Sequence, residues 1–460
     1  MTSQHHEFKD EAAQKHPFIN APHTTLVRLS IPVLFSLVAE PLTGIVDTAF
    51  VAKLGTESLA ALGVGTTVLS SIFWAFNFLG IGSQTEVAKA MGHGNKERAL
   101  QVAGLALAMG TFFGVLLILF LFPFSASVTH LMGATGEVHT LGVAYFNVRL
   151  FGAPAIIVSF AAFGIMRGRQ DMAMPLWIAG GVNLLNIVLD PVLIFGWGIF
   201  PDMGVTGAAL ASVISQWLGA LACVVYVFKR LGRPRKPQLS QAVLLLRVGR
   251  DLFIRTGMLT LFLLLSTRAA TAIGPASGAA HQAIRQAWIL TAFLMDAYAV
   301  AGQSLVAYFM GAGFIHQARR VASVVCGWSL LTGMVLTLVM LVGQQGVVML
   351  LVPEAAVSAF TLPWLISALT QPISSLAFAT DGIHWGTGDF QYLRNVVILA
   401  TGMACALLFF FEYHGSLTLE KIWLITALWA MIRSLGGILR IWPGTTHSPL
   451  AMKPMGHHNR

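Results

Sequence analysis

A chain of 460 residues is long enough for two or three soluble domains, yet 56% of its residues are hydrophobic, only 10% are charged and its mean hydropathy is +0.74. Those proportions exclude a water-soluble surface and make a bilayer the natural solvent. The formal charge of +9 would point to nucleic acid if it were gathered in one patch, but the positive residues fall in alternate loops, which argues against such a partner.

The N-terminus, with His5, His6, Lys9, Asp10 and Glu11, lacks the pattern of a removable signal peptide, so residues 1-24 are expected to be a cytoplasmic tail. Apolar stretches of about 20 residues, enough to cross a hydrocarbon core of about 30 Å, then recur along the chain. Twelve spans are expected, at 26-51, 60-83, 100-122, 142-165, 175-197, 205-229, 252-273, 280-308, 321-350, 360-384, 395-412 and 418-439. In lipid each backbone N–H and C=O needs a partner in its own segment, and nothing here alternates like a barrel strand, so every span is a helix. The fold class is an all-α polytopic membrane protein.

With this map most of the 28 Lys and Arg residues lie on one side, among them Lys89, Lys96, Arg98, Arg167, Arg169, Arg319, Arg320, Arg394, Arg433 and Arg440. The densest group, Lys229, Arg230, Arg233, Arg235, Lys236, Arg247 and Arg250, surrounds the proline-bearing RLGRPRKP segment and is expected to be a cytoplasmic linker over 230-250. The positive-inside rule places both termini and this linker in the cytoplasm of a cell inner membrane, and the basic excess reads as topology plus affinity for anionic membrane lipids.

The chain repeats itself. A shift of 219 residues lays QTEVAKAMGHG on QSLVAYFMGAG, with Gln84, Val87, Ala88, Met91, Gly92 and Gly94 meeting identical residues. A shift of 218 lays Pro154, Gly164, Ile165, Gly168 and Asp171 on Pro372, Gly382, Ile383, Gly386 and Asp389. Each copy holds six spans, an even number, so the copies are parallel. The expected architecture is an amino-terminal six-helix lobe at 25-229 and a carboxy-terminal one at 251-440, related by a pseudo-two-fold axis along the membrane normal, with a tail at 441-460.

A carboxylate at the bilayer centre costs roughly 2.5-3.5 kcal/mol on insertion scales, so each one retained is a functional candidate. Asp47 lies late in the first span, and Asp190 lies in the fifth with Asn183 and Asn186 on the same helical face. Such a set suits either a caged cation, H+ or Na+, or helix-to-helix hydrogen bonding; for Na+ the ligands would be Asp47, Asn186 and Asp190. Pro41 and Pro191 free backbone carbonyls and are candidate bending points. Tyr145 and Arg149, one turn apart, are candidates to face that cluster.

In the second lobe Asp296 is a weaker candidate, with His281 and Arg285 as available partners. Asp381 and Asp389 are expected to be solvated or capping at helix ends, and Arg255 and Arg268 to snorkel to the interfaces. The scattered Cys223, Cys326 and Cys405 imply neither disulfide nor metal. The 18 Met and 30 Phe would suit a cavity that adapts to varied apolar cations, although lipid contact and packing explain them equally. P-loop, G-x-S-x-G and HExxH patterns are lacking, which leaves an ion gradient as energy source and no case for an enzyme.

The first-span PLTGIVDTAFVAKLGTESLAALGVG, QTEVAKAMGHGN, NIVLDPVLIFGWGIFPDMGVTGAALAS, GQSLVAYFMGAG and DGIHWGTGDFQYLRN together resemble the multidrug and toxic compound extrusion (MATE) family, in its DinF-like branch. The resemblance implies cation-coupled antiport, with H+ or Na+, of amphipathic and often cationic compounds by alternating access, without a cofactor. It also implies that Asp47 is the first-helix coupling carboxylate, with Asn186 and Asp190 as partners and Ser212 in a position where relatives often carry threonine. Other branches place acidic residues in the seventh helix, where this chain has Arg255 and Arg268, so the coupling site is expected in the amino lobe. A monomer is expected. The alternative is a lipid-linked precursor flippase of related architecture, which would require a cationic intramembrane cavity for pyrophosphate.

Overall fold

The computed structural model describes residues 14-233, 239-442 and 447-451. The tail residues His5, His6, Lys9, Asp10 and Glu11, the linker residues Arg235 and Lys236, and Lys453 and Arg460 lie outside the described residues. Among those described, eleven helical segments are long and apolar enough to cross a membrane, or twelve when one bent pair is counted as a span. The chain is a multi-pass helical membrane protein, as its composition requires.

The helices in chain order are α1 (Pro17–Asn20), α2 (Pro22–Val51), α3 (Thr56–Ala75), α4 (Phe78–Gly92), α5 (Lys96–Leu121), α6 (Ser125–Leu131), α7 (Gly136–Leu150), α8 (Ala153–Gly168), α9 (Ala173–Ile194) and α10 (Gly204–Leu231). They continue as α11 (Leu239–Ile273), α12 (Pro275–Ala312), α13 (Ile315–Leu351), α14 (Val357–Thr387), α15 (Phe390–Tyr413) and α16 (Leu419–Ile441). Two expected spans are interrupted. The span at 60-83 breaks at Phe76 and Asn77 into α3 and α4, and that at 142-165 breaks at Phe151 and Gly152 into α7 and α8, which meet at 47°. The stretch expected to be linker up to residue 250 is helical from Leu239, so α11 begins well before the apolar run that marked it.

Contacts divide the chain into two compact units, one of Ile31–Gly249 and one of Arg250–Arg460 together with the residues up to Ser30. The second unit thus holds part of the stretch expected to be a tail. Phe18 and Leu26 are fully buried there with Leu305, Phe309, Val321 and Val325. The Arg320 guanidinium donates to the Ile19 carbonyl at 3.1 Å and Trp328 Nε1 to His23 Nδ1 at 3.0 Å.

Within the amino unit α8 is the hub, packed against α4, α5 and α10, while α3 lies on α7 and α9 on α10. Within the carboxy unit α14 takes that place against α12, α13 and α16. The repeated residues explain themselves at these crossings. A Cβ on Gly164 would stand 2.1 Å from the Gly80 carbonyl oxygen, and one on Gly382 2.2 Å from that of Ala299. Likewise Gly114 faces Pro154 Cα and Gly333 faces Pro372 Cα, with a Cβ on either falling under 3 Å. Small residues let helix backbones approach where no hydrophobic effect pulls helices together in lipid, so the duplicated sequence is a duplicated set of close contacts.

Gly94 and Gly313, also related by the repeat, close their helices with φ of 70° and 84°, a left-handed conformation that other residues adopt at a cost. Outside the contacts, Leu42, Ile45, Val342 and Met349 are exposed, as lipid-facing side chains of a spanning helix would be.

Candidate functional site

The amino unit gathers most of the residues singled out by their chemistry. Asp190 is fully buried on α9, and Asn186, one turn earlier and 3% exposed, donates Nδ2–H to Asp190 Oδ1 at 3.4 Å. The same Nδ2 lies 3.5 Å from Ser212 Oγ on α10, which brings a second helix into the cluster. Asp47 on α2 reaches in from a third, close enough for its carboxyl to interact directly with that of Asp190. One oxygen of each, Asp47 Oδ1 and Asp190 Oδ2, is buried without a hydrogen-bond donor.

Two carboxylates in contact repel unless something positive lies between or beside them, and their unsatisfied oxygens define where it belongs. A shared proton or a small cation bound there would satisfy both. Among the described side chains, Asp47, Asn186, Asp190 and Ser212 bring carboxylate, carboxamide and hydroxyl together within the apolar spans.

Tyr145 on α7 belongs to the wall of this site. It is 1% exposed and packs with Val51, Leu62, Ile194 and Val205. The ring needs the absence of a side chain on α3, since a Cβ on Gly65 would meet Tyr145 Cδ1 at 2.4 Å. Arg149, one turn on, interacts electrostatically with both Asp47 and Tyr145 and donates to Gln216 Oε1 on α10 at 2.6 Å. Asn183 lies on the same face but is partly exposed and makes no hydrogen bond with the cluster.

Pro191, next to Asp190, is buried inside α9, and Pro41 is exposed inside α2 six residues before Asp47. Each removes one backbone donor, which leaves the Ile187 and Leu37 carbonyls without their helical partners.

The carboxy unit is built differently. Asp381 on α14 is buried, and its Oδ2 accepts from Arg255 on α11 and from Arg433 on α16, the latter at 2.8 Å. Arg433 stacks over Trp429 at 4.5 Å and Arg255 over Trp385 at 5.2 Å. Asp296 on α12 adds a second negative charge that acts on Arg433. His281 instead meets Thr267 Oγ1 at 3.3 Å.

Three expectations are corrected by these contacts. Arg255 does not snorkel, Asp381 is not solvated, and Arg433 is not a loop charge but shares Asp381 with Arg255. Arg268, by contrast, is exposed and pairs with Glu412 at 3.0 Å. Asp389 is partly exposed and binds Arg440 at 2.9 Å. The three cysteines are free, with Cys223 and Cys326 buried and Cys405 partly exposed.

Buried carboxylates in a multi-pass helical fold are features that membrane transporters use. The MatE family model matches residues 32–192, which contain Asp47, Tyr145, Asn186 and Asp190. Protein DETOXIFICATION 44, chloroplastic, of Arabidopsis thaliana is 30% identical over 93% of this chain and 83% of its own length. DNA damage-inducible protein F of Escherichia coli (strain K12) is 27% identical over 92% of this chain and 93% of its own. Among solved structures, a MATE crystallised in the bent conformation superposes with a TM-score of 0.84 at 23% identity, over 91% of this chain and 94% of that one. The chain belongs to the multidrug and toxic compound extrusion family of membrane transporters.

Proposed function

We propose that this transporter is a cation-coupled antiporter that exports amphipathic, often cationic compounds by alternating access, with the Asp47–Asp190 pair as its coupling site. The observation that carries the reading is the direct approach of the two carboxyls, each with one buried oxygen lacking a donor, beside Asn186 and Ser212. A cation arriving there cancels the repulsion and draws α2 toward α9. Its departure, or replacement by a cationic substrate, lets them separate. Such a change drives transport only if cation and substrate prefer opposite packings or compete for the same oxygens.

Pro41 and Pro191 supply the compliance for that change, because a helix missing a hydrogen bond bends at lower cost than an intact one. Tyr145 closes one side of the site and Ser212 supplies a neutral oxygen. Asn183, one turn along the same face of α9, is assigned to the substrate path. Asp296 is tied to the carboxy-unit arginines and takes at most a minor part. The coupling ion, H+ or Na+, is the only inorganic partner required, and Na+ would use Asp47, Asn186 and Asp190.

The basic residues near the helix ends support a placement in the cell inner membrane with both termini cytoplasmic, in contact with anionic lipid, and a monomer suffices for this mechanism. The test is export of a fluorescent cationic dye from proteoliposomes under an imposed pH gradient or Na+ gradient, for wild type and Asp47→Asn. Transport that follows one gradient and is lost in the variant names the ion. Equal transport in the variant refutes the assignment of Asp47, and no dye movement under either gradient turns attention to a lipid-linked substrate.

A further inference from the structure

Two neighbouring helical spans of the amino unit are interrupted at the same level. Before the breaks α3 packs on α7, where Gly65 leaves room for Tyr145. After them α4 packs on α8, where Ser83 Oγ donates to the Ala161 carbonyl at 3.2 Å. At each break the backbone makes a tighter turn. Phe76 N–H donates to the Phe73 carbonyl and Asn77 N–H to that of Trp74, both at 3.0 Å. Phe151 N–H and Gly152 N–H donate to the Val148 and Arg149 carbonyls at 3.2 and 3.0 Å. A short run of such three-residue bonds inside a longer helical span often marks a hinge.

The duplicated helices of the carboxy unit have no such interruption: α12 continues through Met295–Asp296 and α14 through Leu369–Thr370, the positions 219 and 218 residues further on. Pro154, just after the second break, recurs as Pro372 inside the continuous α14, so proline alone does not part the helix. Gly152 is what differs, with Thr370 in its place. The second break is bridged from α10. Trp217 Nε1 donates to the Phe151 carbonyl at 3.0 Å, and Gln216 Oε1 accepts from Arg149 at 2.6 Å, in a gap that a Cβ on Gly152 would fill.

We infer that the amino unit flexes at the level of Phe76–Asn77 and Phe151–Gly152 during transport, with Trp217 as the positioning residue that holds the bend between α7 and α8. In a straight helix the Phe151 carbonyl would accept from the Ala155 N–H, so the indole competes with straightening. The arm before the break carries Tyr145, while the arm after it is held to α4 by the close approach of Gly164 to Gly80. A change of angle therefore moves Tyr145 and leaves that crossing intact. The inference adds a moving part to the coupling role proposed for the Asp47–Asp190 pair, and rests on it.

The test is the distance between spin labels on Thr140→Cys and Arg169→Cys, at the two ends of α7–α8, with Cys223, Cys326 and Cys405 replaced by alanine. Labels on Ser358→Cys and Thr387→Cys, 218 residues further on at the ends of α14, are the control. Straightening a 47° bend between arms of about 15 and 25 Å, at 1.5 Å per residue, lengthens the first distance by about 3 Å. The first distance should differ between protein saturated with a cationic dye and protein at acid pH or in Na+, and the control distance should not. No difference in the first, or an equal one in both, would overturn the inference. Hydrogen exchange on the unaltered chain gives a second reading: amides around Phe151–Gly152 should exchange faster than those around Leu369–Thr370, and equal protection would overturn the hinge. Trp217→Phe keeps an aromatic ring and loses the N–H, so the ligand that straightens α7–α8 should act at a concentration roughly 2–12-fold lower. An unchanged half-effect concentration refutes the role of Trp217. Asp47→Asn separates the hinge from the coupling site: a label distance that still answers to the cation there refutes the site and leaves the hinge standing, and one that answers to dye alone upholds both.

Discussion

The two units repeat one packing scheme and diverge in where they place charge. In the amino unit the carboxylates Asp47 and Asp190 meet each other and retain buried oxygens without donors. In the carboxy unit Asp381 meets two guanidiniums, and α12 and α14 are continuous where their counterparts α3–α4 and α7–α8 are broken. Carried through the repeat, Asp47 falls on Ser266 and Asp190 on Leu408, while Arg255 falls on Ser36 and Asp381 on Phe163. Neither charged set has a counterpart in the other unit. One duplicated scaffold has therefore kept two like-charged carboxyls together in one copy and paired opposite charges in the other, although Arg255 Nε and Arg433 Nε of the second set are also buried without a hydrogen-bond partner. Like charges held together can respond to an added cation, whereas paired opposite charges hold helices together.

The comparison is broken most severely at Asp381. Asp381→Ala leaves two buried guanidiniums without their shared partner and should destabilise the protein by about 3–5 kcal/mol, read as a fall in the thermal unfolding midpoint in detergent. Asp47→Asn should leave that midpoint nearly unchanged, because it removes a charge that lacks a complete set of partners. If Asp47→Asn proved the more damaging to stability, the division into a responsive and a fixed cluster would be wrong.

Asp190→Asn should lower gradient-driven dye export by roughly 5–150-fold, the range spanned by coupling energies of 1–3 kcal/mol, with vesicle assays as the measurement. Next in size, Gly164→Ala and Gly382→Ala should each cost about 1–3 kcal/mol through overpacking at equivalent crossings. Similar midpoint shifts for the two would support the shared scaffold, and a large disparity would weaken it. Ser212→Ala, which removes one long hydrogen bond at 3.5 Å, should change dye export by less than the Asp190 variant, consistent with about 0.5–1.5 kcal/mol.

Much of this arrangement was legible in the chain because it is local or periodic. Hydropathy marks the spans, spacings of four put Asn186 and Asp190 on one face, and two nearly equal offsets reveal the duplication. The close crossings were legible only as repeated glycines, without the partner each one meets. What escaped sequence reading is non-local. Arg255 and Asp381 are 126 residues apart, and Arg433 and Asp381 are 52 apart, so each looked like an isolated end charge. Asn183 shows the opposite error, since sharing a helical face with Asn186 did not bring it into the hydrogen-bonded cluster. The breaks at Phe76–Asn77 and Phe151–Gly152 interrupt runs that hydropathy averages over, although Asn77 and Gly152 were the available signals.

The central claim is that cation and substrate answer to the same amino-unit carboxylates. It is tested most directly by dye binding to the purified protein in detergent, titrated against pH at fixed Na+ and against Na+ at fixed pH, for wild type and Asp47→Asn. The account predicts that one of the two cations weakens dye binding to wild type and that this competition disappears in the variant. Competition of equal strength in both proteins would contradict it.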